Sequence, residues 1–563
     1  MDAIAQSEAV QLFVARAKLH QIDFALTPSR SPVVAQICIR LDGIALALEL
    51  AAARVRSLTV EKIHSRLHDR FALLTGGART ALPRQQTLRA ALDWSFDLLS
   101  EEERTVFRHL AIFHGSFTLD AAMIVAATDT VGPFAATDLI SQLVVHSLLV
   151  VDTMSSGARY RLLETPCAYA REKLDAAGET ASLARRHAQY FRDYFECAPG
   201  DWLRISDVAW RAAYAHECDN VRAALDWAFG AEGDTALGIG LAGASGSLWL
   251  ELSQHGEGRR HIDIAIARIG PDTPAIDQAR LRLLLGMLQT FSAPTEAAEA
   301  LEHAIDLYRD LGDPVGLGSS LVAKGLILTL MARFDEAASM FVEALPLLER
   351  GGVPKALARY FAFSGHLKKV TGDPAGARLH YEKALPLFHS AGAECDALRT
   401  LGHIADITWL QGDLDAAAAG FREAAALLRR AFSTTTSAAN TLGCVLGNLS
   451  GVLAERGEID AALEAAREAI PLLTDGRYTW IFMDHFALRA GLAGKLTSAT
   501  RLCGVADAAH VAKKKVREPN ELRARASLHA LLRDKLAPAE IERLLAEGEK
   551  MSEEEAGRLA LEA

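Results

Sequence analysis

Thr371-Gly372-Asp373-Pro374-Ala375-Gly376-Ala377 and Gln411-Gly412-Asp413-Leu414-Asp415-Ala416-Ala417 carry one pattern at two places, forty positions apart. Met331-Ala332-Arg333-Phe334-Asp335-Glu336-Ala337-Ala338 and Arg456-Gly457-Glu458-Ile459-Asp460-Ala461-Ala462 repeat it with variations. An Ala-rich helical stretch follows each: Phe341–Leu348, Tyr381–Phe388, Phe421–Leu428 and Ala465–Leu472. Ala297–Leu307 reads as one more, degenerate, copy. A Gly-Asp turn joins a first helix to a second, and small side chains let neighbouring helices approach. A fixed period of this size is the mark of a solenoid, in which each unit buries its apolar face only against the next.

The spacing fits a tetratricopeptide-type helix pair stretched beyond the usual ~34 residues. Such arrays offer a concave surface to peptides and proteins. A protein partner or small effector is therefore expected on the repeats, with the Ala, Leu and Phe of the array structural.

Composition agrees with a folded helical protein. Half of the 563 residues are hydrophobic, and the net charge of −11 comes from both signs mixed along the chain. That balance disfavours general nucleic-acid binding, which calls for a basic stripe. The seven cysteines are scattered without a Cys-x-x-Cys, so free thiols in a reducing cytoplasm are expected, not a disulfide frame or a metal site. Apolar runs fall short of the ~18 residues of a membrane span, and no signal-peptide pattern opens the chain. His216-Glu217-Cys218-Asp219-Asn220 begins like a zinc-protease motif but has Asn where the second His must stand.

Upstream of the repeats, helices are expected over 6–19, from Ser31-Pro32 to Gly43, and over 46–55. The third is almost all Ala and Leu and should be deeply buried. Ser7-Glu-Ala-Val-Gln-Leu-Phe13, Ile37-Cys-Ile-Arg-Leu-Asp-Gly-Ile-Ala-Leu-Ala-Leu-Glu-Leu-Ala-Ala-Ala-Arg54 and the stretch 58–79 resemble the helical subdomain of STAND-type, NB-ARC-like signalling ATPases, in the branch found in large bacterial transcriptional regulators. The resemblance runs over residues 6–171, and the tail from Gly548 resembles the usual end of those regulators. It implies that Gly43, Ile44, Ala45 and Leu46 are a vestigial nucleotide-facing motif, in which Ala45 replaces the family's proline. Leu162-Leu163-Glu164 likewise offers no histidine for a phosphate where eukaryotic members carry Met-His-Asp. No Gly-x-x-x-x-Gly-Lys-[Ser/Thr] occurs, so the loop that would cradle phosphates is missing. No enzyme activity, catalytic residue, metal or cofactor is expected; ATP or ADP would bind only if the native chain extends upstream to a P-loop.

Between these parts the pattern is that of a winged helix. A helix is expected near Thr87–Leu98, and Ser100 with Glu103 forms a capping box for the next one. Shorter helices follow at Leu119–Ala127 and Asp138–Ser147. Strands at Leu148–Asp152 and Arg159–Leu162 flank the Ser155-Ser156-Gly157 turn. The third helix has no Lys or Arg to read bases, so an intramolecular role is favoured over DNA binding. In the DNA alternative, Arg159 and Arg161 of the wing would make the contacts. Lys513-Lys514-Lys515-Val516-Arg517, the one dense basic run, reads as a solvated helix end.

The expected architecture is mainly α: a helical subdomain plus winged helix, followed by an α-solenoid of tetratricopeptide-like pairs. Its boundaries are 1–80 for the subdomain of a truncated STAND ATPase, 81–165 for the winged helix and 166–234 for a helical entry to the repeats. The repeats then run over 235–490 and a helical cap over 491–563. The expected function is a cytoplasmic regulatory or signal-transduction protein that works through contacts on its repeats.

Overall fold

A computed structural model describes residues 6–563, apart from 22–23, 42, 57, 68–87, 129–131, 155–156, 433–436, 477 and 514. The chain forms two compact units, Met1–Asp193 with His216–Asp234, and Tyr194–Ala215 with Thr235–Ala563. It is mainly α, with one two-stranded sheet among the described residues. None of the described helices is long and apolar enough to cross a membrane.

The first unit opens with α1 (Glu8–His20), α2 (Ser31–Arg40), α3 (Ala45–Ala53) and α4 (Val60–Arg66). Pro32 at the first turn of α2 supplies a preset φ where no N–H is needed. Apolar residues at helical spacing, Val10, Phe13 and Ala17 of α1 with Val34 and Ile37 of α2, are buried. In α3 the face of Ala47, Leu48, Ala51 and Ala52 is buried, while Ala45 on the other side is exposed. Residues 68–79 and Leu82–Thr87 lie outside the described residues.

The winged helix follows. It comprises α5 (Leu88–Asp97), α6 (Glu101–Leu110), α7 (Leu119–Val125), α8 (Pro133–Val145), β1 (Val150–Met154), β2 (Gly157–Arg161) and α9 (Glu164–Ala177). The capping box of α6 forms in full: Ser100 N donates to Glu103 Oε2 at 2.7 Å, and Glu103 N to Ser100 Oγ at 3.2 Å. α8 starts five residues before the expected Asp138, because Pro133 after Gly132 is itself a start signal. The strands pair antiparallel with Val151 opposite Tyr160, and Phe117 bridges to Tyr160 beside them. Leu148 and Leu149 are not strand residues: both amides donate to the Leu143 carbonyl, closing the end of α8, and β1 begins afterwards. The Ser155-Ser156 turn lies outside the described residues.

His187 is buried here against Phe113 and Phe191, at ring-centroid distances of 5.4 and 4.8 Å. Burial holds its imidazole down to about 3 from the ordinary 6.5.

The second unit carries the repeats as α10 (Pro314–Leu330), α11 (Phe334–Gly351), α12 (Pro354–Val370), α13 (Pro374–Ser390), α14 (Glu394–Leu410), α15 (Leu414–Phe432), α16 (Ser437–Glu455) and α17 (Ile459–Gly476). Their joints explain the repeated motif. Gly412 turns left-handed at φ +92°, its amide donates to the Trp409 carbonyl, and the Asp413 amide donates to Thr408. The Asp side chain then caps the next helix: Ala416 N donates to Asp413 Oδ1 at 2.9 Å, as Gly376 N does to Asp373 at 2.8 Å. Glycine reverses the chain and aspartate restarts it. Close packing also needs small residues, since a Cβ on Gly451 would stand 2.6 Å from the Trp409 ring.

The basic run near 515 is not a solvated helix end. Lys515 is only 8 % exposed, and Arg517 reaches Asp484 at 2.6 Å and Asp507 at 2.7 Å. The aromatic and acidic partners that draw these cations inward lie elsewhere in the chain. Lys514 lies outside the described residues.

Two outcomes follow from this packing. At the joint between α10 and α11, Ala332 occupies the left-handed region at φ +58°, where other joints have glycine. Relieving that strain, Ala332→Gly is expected to stabilise the second unit by up to about 1 kcal/mol, read from denaturant midpoints. In the first unit, native His187 stays neutral to about pH 3 while the unfolded chain takes up a proton below about 6.5. Its contribution is therefore intact above pH 6.5 and is lost as the pH falls from there toward 3. Across that window a His187→Phe variant should show a slope shallower by up to about 1.4 kcal/mol per pH unit.

Candidate ligand-binding cavity

The first helix of each repeat turns one face inward. Residues three or four apart on a helix share a face, so Arg359, Ala362, Phe363, His366 and Lys369 of α12 form a single strip. Arg399, Gly402, His403 and Asp406 of α14 repeat it, and Thr441, Cys444, Val445 and Asn448 of α16 continue it. With Ser319, Val322, Ala323 and Leu326 of α10, these strips surround a cavity of about 1460 Å³ within the second unit. Glu518 and Glu521, at the start of α18 (Pro519–Lys535), complete the wall at one end, and Trp202 and Asp207 stand at the other. Ser247 on the same wall is buried and its hydroxyl has no hydrogen-bond partner.

Charged groups gather at both ends of the cavity. At one end Arg359 and Arg399 share a single carboxylate, Asp396, with Arg359 Nη2 3.3 Å from it and Arg399 in close contact. Arg359 also lies over the Trp202 ring at 4.1 Å. Lys355 is taken up by Asp207 at 2.6 Å, and Glu251 by Arg211 at 3.2 Å and the Trp202 indole N–H at 2.7 Å. Four cations thus meet three carboxylates; of the cations, Arg359 and Arg399 line the cavity. Arg399, with 46 % of its side chain exposed, is the most open of the four.

The other end is built around a lysine. Lys369 is buried between Asp406, at 2.7 Å, and Glu518. Burial works against its charge, but the two carboxylates outweigh it and hold the ammonium well above its ordinary range. Burial would likewise push the Glu518 carboxyl up; Lys369, aided by His366, brings it to about 2 instead. Asn520 Nδ2 donates to Asp406 Oδ1 at 2.5 Å. Burial beside Glu518 keeps the Glu521 carboxyl protonated well above its usual range, and burial keeps His366 and His403 low, His403 at about 3. Lys513 and Lys515 lie over the Trp480 and Phe291 rings, at 5.3 and 4.2 Å.

The residues singled out from sequence lie in the other unit. Gly43, between α2 and α3, is left-handed at φ +67°; Ile44 is the N-cap of α3, and Ala45 and Leu46 begin that helix. Arg159 is turned inward and only 6 % exposed. It reaches Glu217 at 2.7 Å and donates to the Ser116 hydroxyl at 2.8 Å and carbonyl at 3.0 Å. Asn220 closes this clamp, donating to Glu217 and Ser116 and accepting from the His114 amide at 2.8 Å. Arg161 is 41 % exposed and pairs with Asp152 at 2.9 Å. The outer face of α8 presents Phe134, Asp138, Gln142 and Val145 without a cation. Glu217 and Asn220 thus find their use as a structural clamp in the segment that began like a zinc motif. Among the described residues no cluster of His, Cys, Asp and Glu could hold a metal.

Known proteins resemble parts of this chain. Residues 99–175 match the winged helix-turn-helix domain family. A Mycobacterium tuberculosis protein named as an HTH-type transcriptional regulator, Rv0890c, is 36 % identical over 398 residues, 68 % of this chain and 44 % of its own length. A second, uncharacterized protein of that organism, Rv0894, is 40 % identical over 193 residues, 33 % of this chain and 48 % of its own. The chain thus spans less than half the length of these curated relatives. Among solved structures, the STAND protein with a tetratricopeptide repeat sensor PH0952 from Pyrococcus horikoshii aligns with 96 % of this chain and 71 % of that one, at 12 % identity and a TM-score of 0.44. A Rap protein complexed with Competence and Sporulation Factor aligns with 65 % of this chain and 99 % of that one, at 13 % identity and a TM-score of 0.46. Likeness of that degree carries no functional inference.

The two wing arginines should differ sharply on removal. Arg159→Ala leaves Glu217 buried without its cation and should cost about 3–5 kcal/mol in the first unit. Arg161→Ala breaks a surface pair and should cost less than about 1 kcal/mol. Urea denaturation of both variants measures the contrast.

Proposed function

We propose that this chain is the switch and sensor portion of a cytoplasmic transcriptional regulator of STAND type, and that its repeat cavity receives the effector. The observation that carries this reading is the cavity itself. Its volume suits a small ligand or a short stretch of chain, and its convergent polar groups with a few aromatic rings are the usual make-up of a recognition site. The parts are a helical subdomain at 1–80, a winged helix at 81–165, a helical entry at 166–234, repeats at 235–490 and a cap at 491–563. The winged helix serves as an internal module: its third helix has no cation, and Arg159 is spent on Glu217. No nucleotide is assigned to Gly43–Leu46, since the sequence holds no P-loop beside them.

The test is thermal stability of the full chain in the low-molecular-mass fraction of an extract from its source cells. The wild type should melt higher in that fraction, as any ligand selective for the folded state requires. A Ser319→Trp variant, which fills the cavity from α10, should not respond. Equal shifts for both proteins, or no shift for either, would refute the reading.

The match of residues 99–175 to winged helix-turn-helix domains supports a second reading, direct DNA binding with Arg161 at the wing. Phosphate contacts dominate at low salt, so a gel shift there decides it. Binding that weakens in Arg161→Ala would support this reading, and no binding would exclude it.

A further inference from the structure

Beside the cavity stands a cluster of rings and lysines that the fold leaves without an anion. Lys515 is only 8 % exposed, and among the described residues its Nζ finds no hydrogen-bond partner. We propose, resting on the effector-cavity reading above, that the effector is a small aromatic acid. Lys515 and Lys513 bind its carboxylate or phosphate, and its ring lies against Phe291 and Tyr478.

Three observations carry it. The first is the state of the amine. The main chain of Lys515 is fixed: its amide donates to the His510 carbonyl at 3.1 Å, and His510 Nδ1 donates to the Lys515 carbonyl at 3.2 Å. Its Nζ meets only rings, Phe291 at 4.2 Å and Trp480 at 5.5 Å from their centroids. Rings attract a cation but fill none of an ammonium's three donors. The second is that the carboxylates nearby are already taken. Glu518 is held by Lys369 and by the Glu521 amide of its capping box, and Glu521 is itself kept protonated. Glu553 accepts from the Trp480 amide at 3.2 Å, while Arg517 occupies Asp484 and Asp507. Burial keeps His366 and His510 neutral. Lys513, 5.3 Å from the Trp480 ring centroid, adds a second cation to the same ring. Burial first, and Lys513 after it, bring the Lys515 amine down to about 7. An incoming oxyanion supplies the counter-charge that the chain withholds.

The third is position. Phe291, Tyr478 and Lys513 line the cavity, so Nζ of Lys515 stands directly against a wall residue. Phe291 and Tyr478 meet edge to face, with centroids 5.4 Å apart and planes at 81°. Phe291 is 36 % exposed and keeps a face open to the cavity. A flat ring extends such a pair at favourable geometry. Its substituent then points toward the two amines. Ala362, Gly402 and Val445 give the rest of the body an apolar wall. A ligand charged at one tip and apolar behind it matches both surfaces.

The experiment titrates the full chain with benzoate, phenyl phosphate and the uncharged benzyl alcohol. Calorimetry in two buffers of different ionisation enthalpy follows binding and proton uptake. At least one acid should bind about tenfold more tightly than the alcohol, the worth of one charged contact. The stronger of the two tells carboxylate from phosphate. At pH 8 the bound acid should take up close to one proton, because an amine that is neutral in the free protein is charged beside the anion. Affinity for benzoate should therefore be full below about pH 7 and fall by up to about tenfold per pH unit above it. Lys515→Met, which removes only the amine from among the rings, should lose both the preference for acid and the proton uptake. Lys513→Met should weaken binding and keep the uptake. Equal binding of acids and alcohol by the wild type, binding without proton uptake, or failure of both acids to bind overturns the proposal. If the low-mass cell fraction then still stabilises wild type but not Ser319→Trp, the effector cavity stands and only the aromatic acid falls.

Discussion

Lys369 is the tie on which the second unit's inner surface depends. A buried ammonium is tolerated only with carboxylates around it, and here they come from three separated places: α12 carries the lysine, α14 supplies Asp406, and α18 supplies Glu518. Two successive repeats and the C-terminal cap are thereby fixed to one another by a group that cannot afford to lose either partner. Asn520 adds a hydrogen bond from the cap to Asp406. The same cluster is one end of the cavity. The stability of the second unit and the shape of its cavity thus draw on the same side chains.

In the first unit a similar economy governs the wing. Arg159 on β2 looks available from sequence, being a cation on a hairpin beside a helix-turn-helix. The fold turns it toward Glu217 and Ser116, and Asn220 holds that arrangement from a distant helix. What remains outward is Arg161, already facing Asp152.

How much of this was legible in the sequence follows from the range over which each feature is specified. The repeats were readable because Gly412-Asp413 encodes its whole turn within a few residues: a left-handed glycine, then a capping aspartate. The Ser100–Glu103 box was readable for the same reason. Pro133 was a local signal too, and overlooking it shortened α8 by a turn. The cavity was not legible, since it forms only when residues about forty apart are brought face to face by stacking. His216–Asn220 could be excluded as a metal motif from spacing, but nothing local says that Glu217 and Asn220 would meet Arg159. Lys515 misled because a basic run usually faces water, whereas its aromatic partner Phe291 lies more than two hundred positions earlier.

The self-contained Gly-Asp joints have an evolutionary consequence. Each joint closes its own hydrogen bonds, so a forty-residue unit can be duplicated or lost by recombination without redesigning its neighbours. Gain of one unit between Asp396 and the cap would lengthen the inner channel by a rung and leave the groups at both mouths unchanged. Descendants of this chain could therefore change the length of that channel in discrete steps, while the side chains at its two ends are inherited intact.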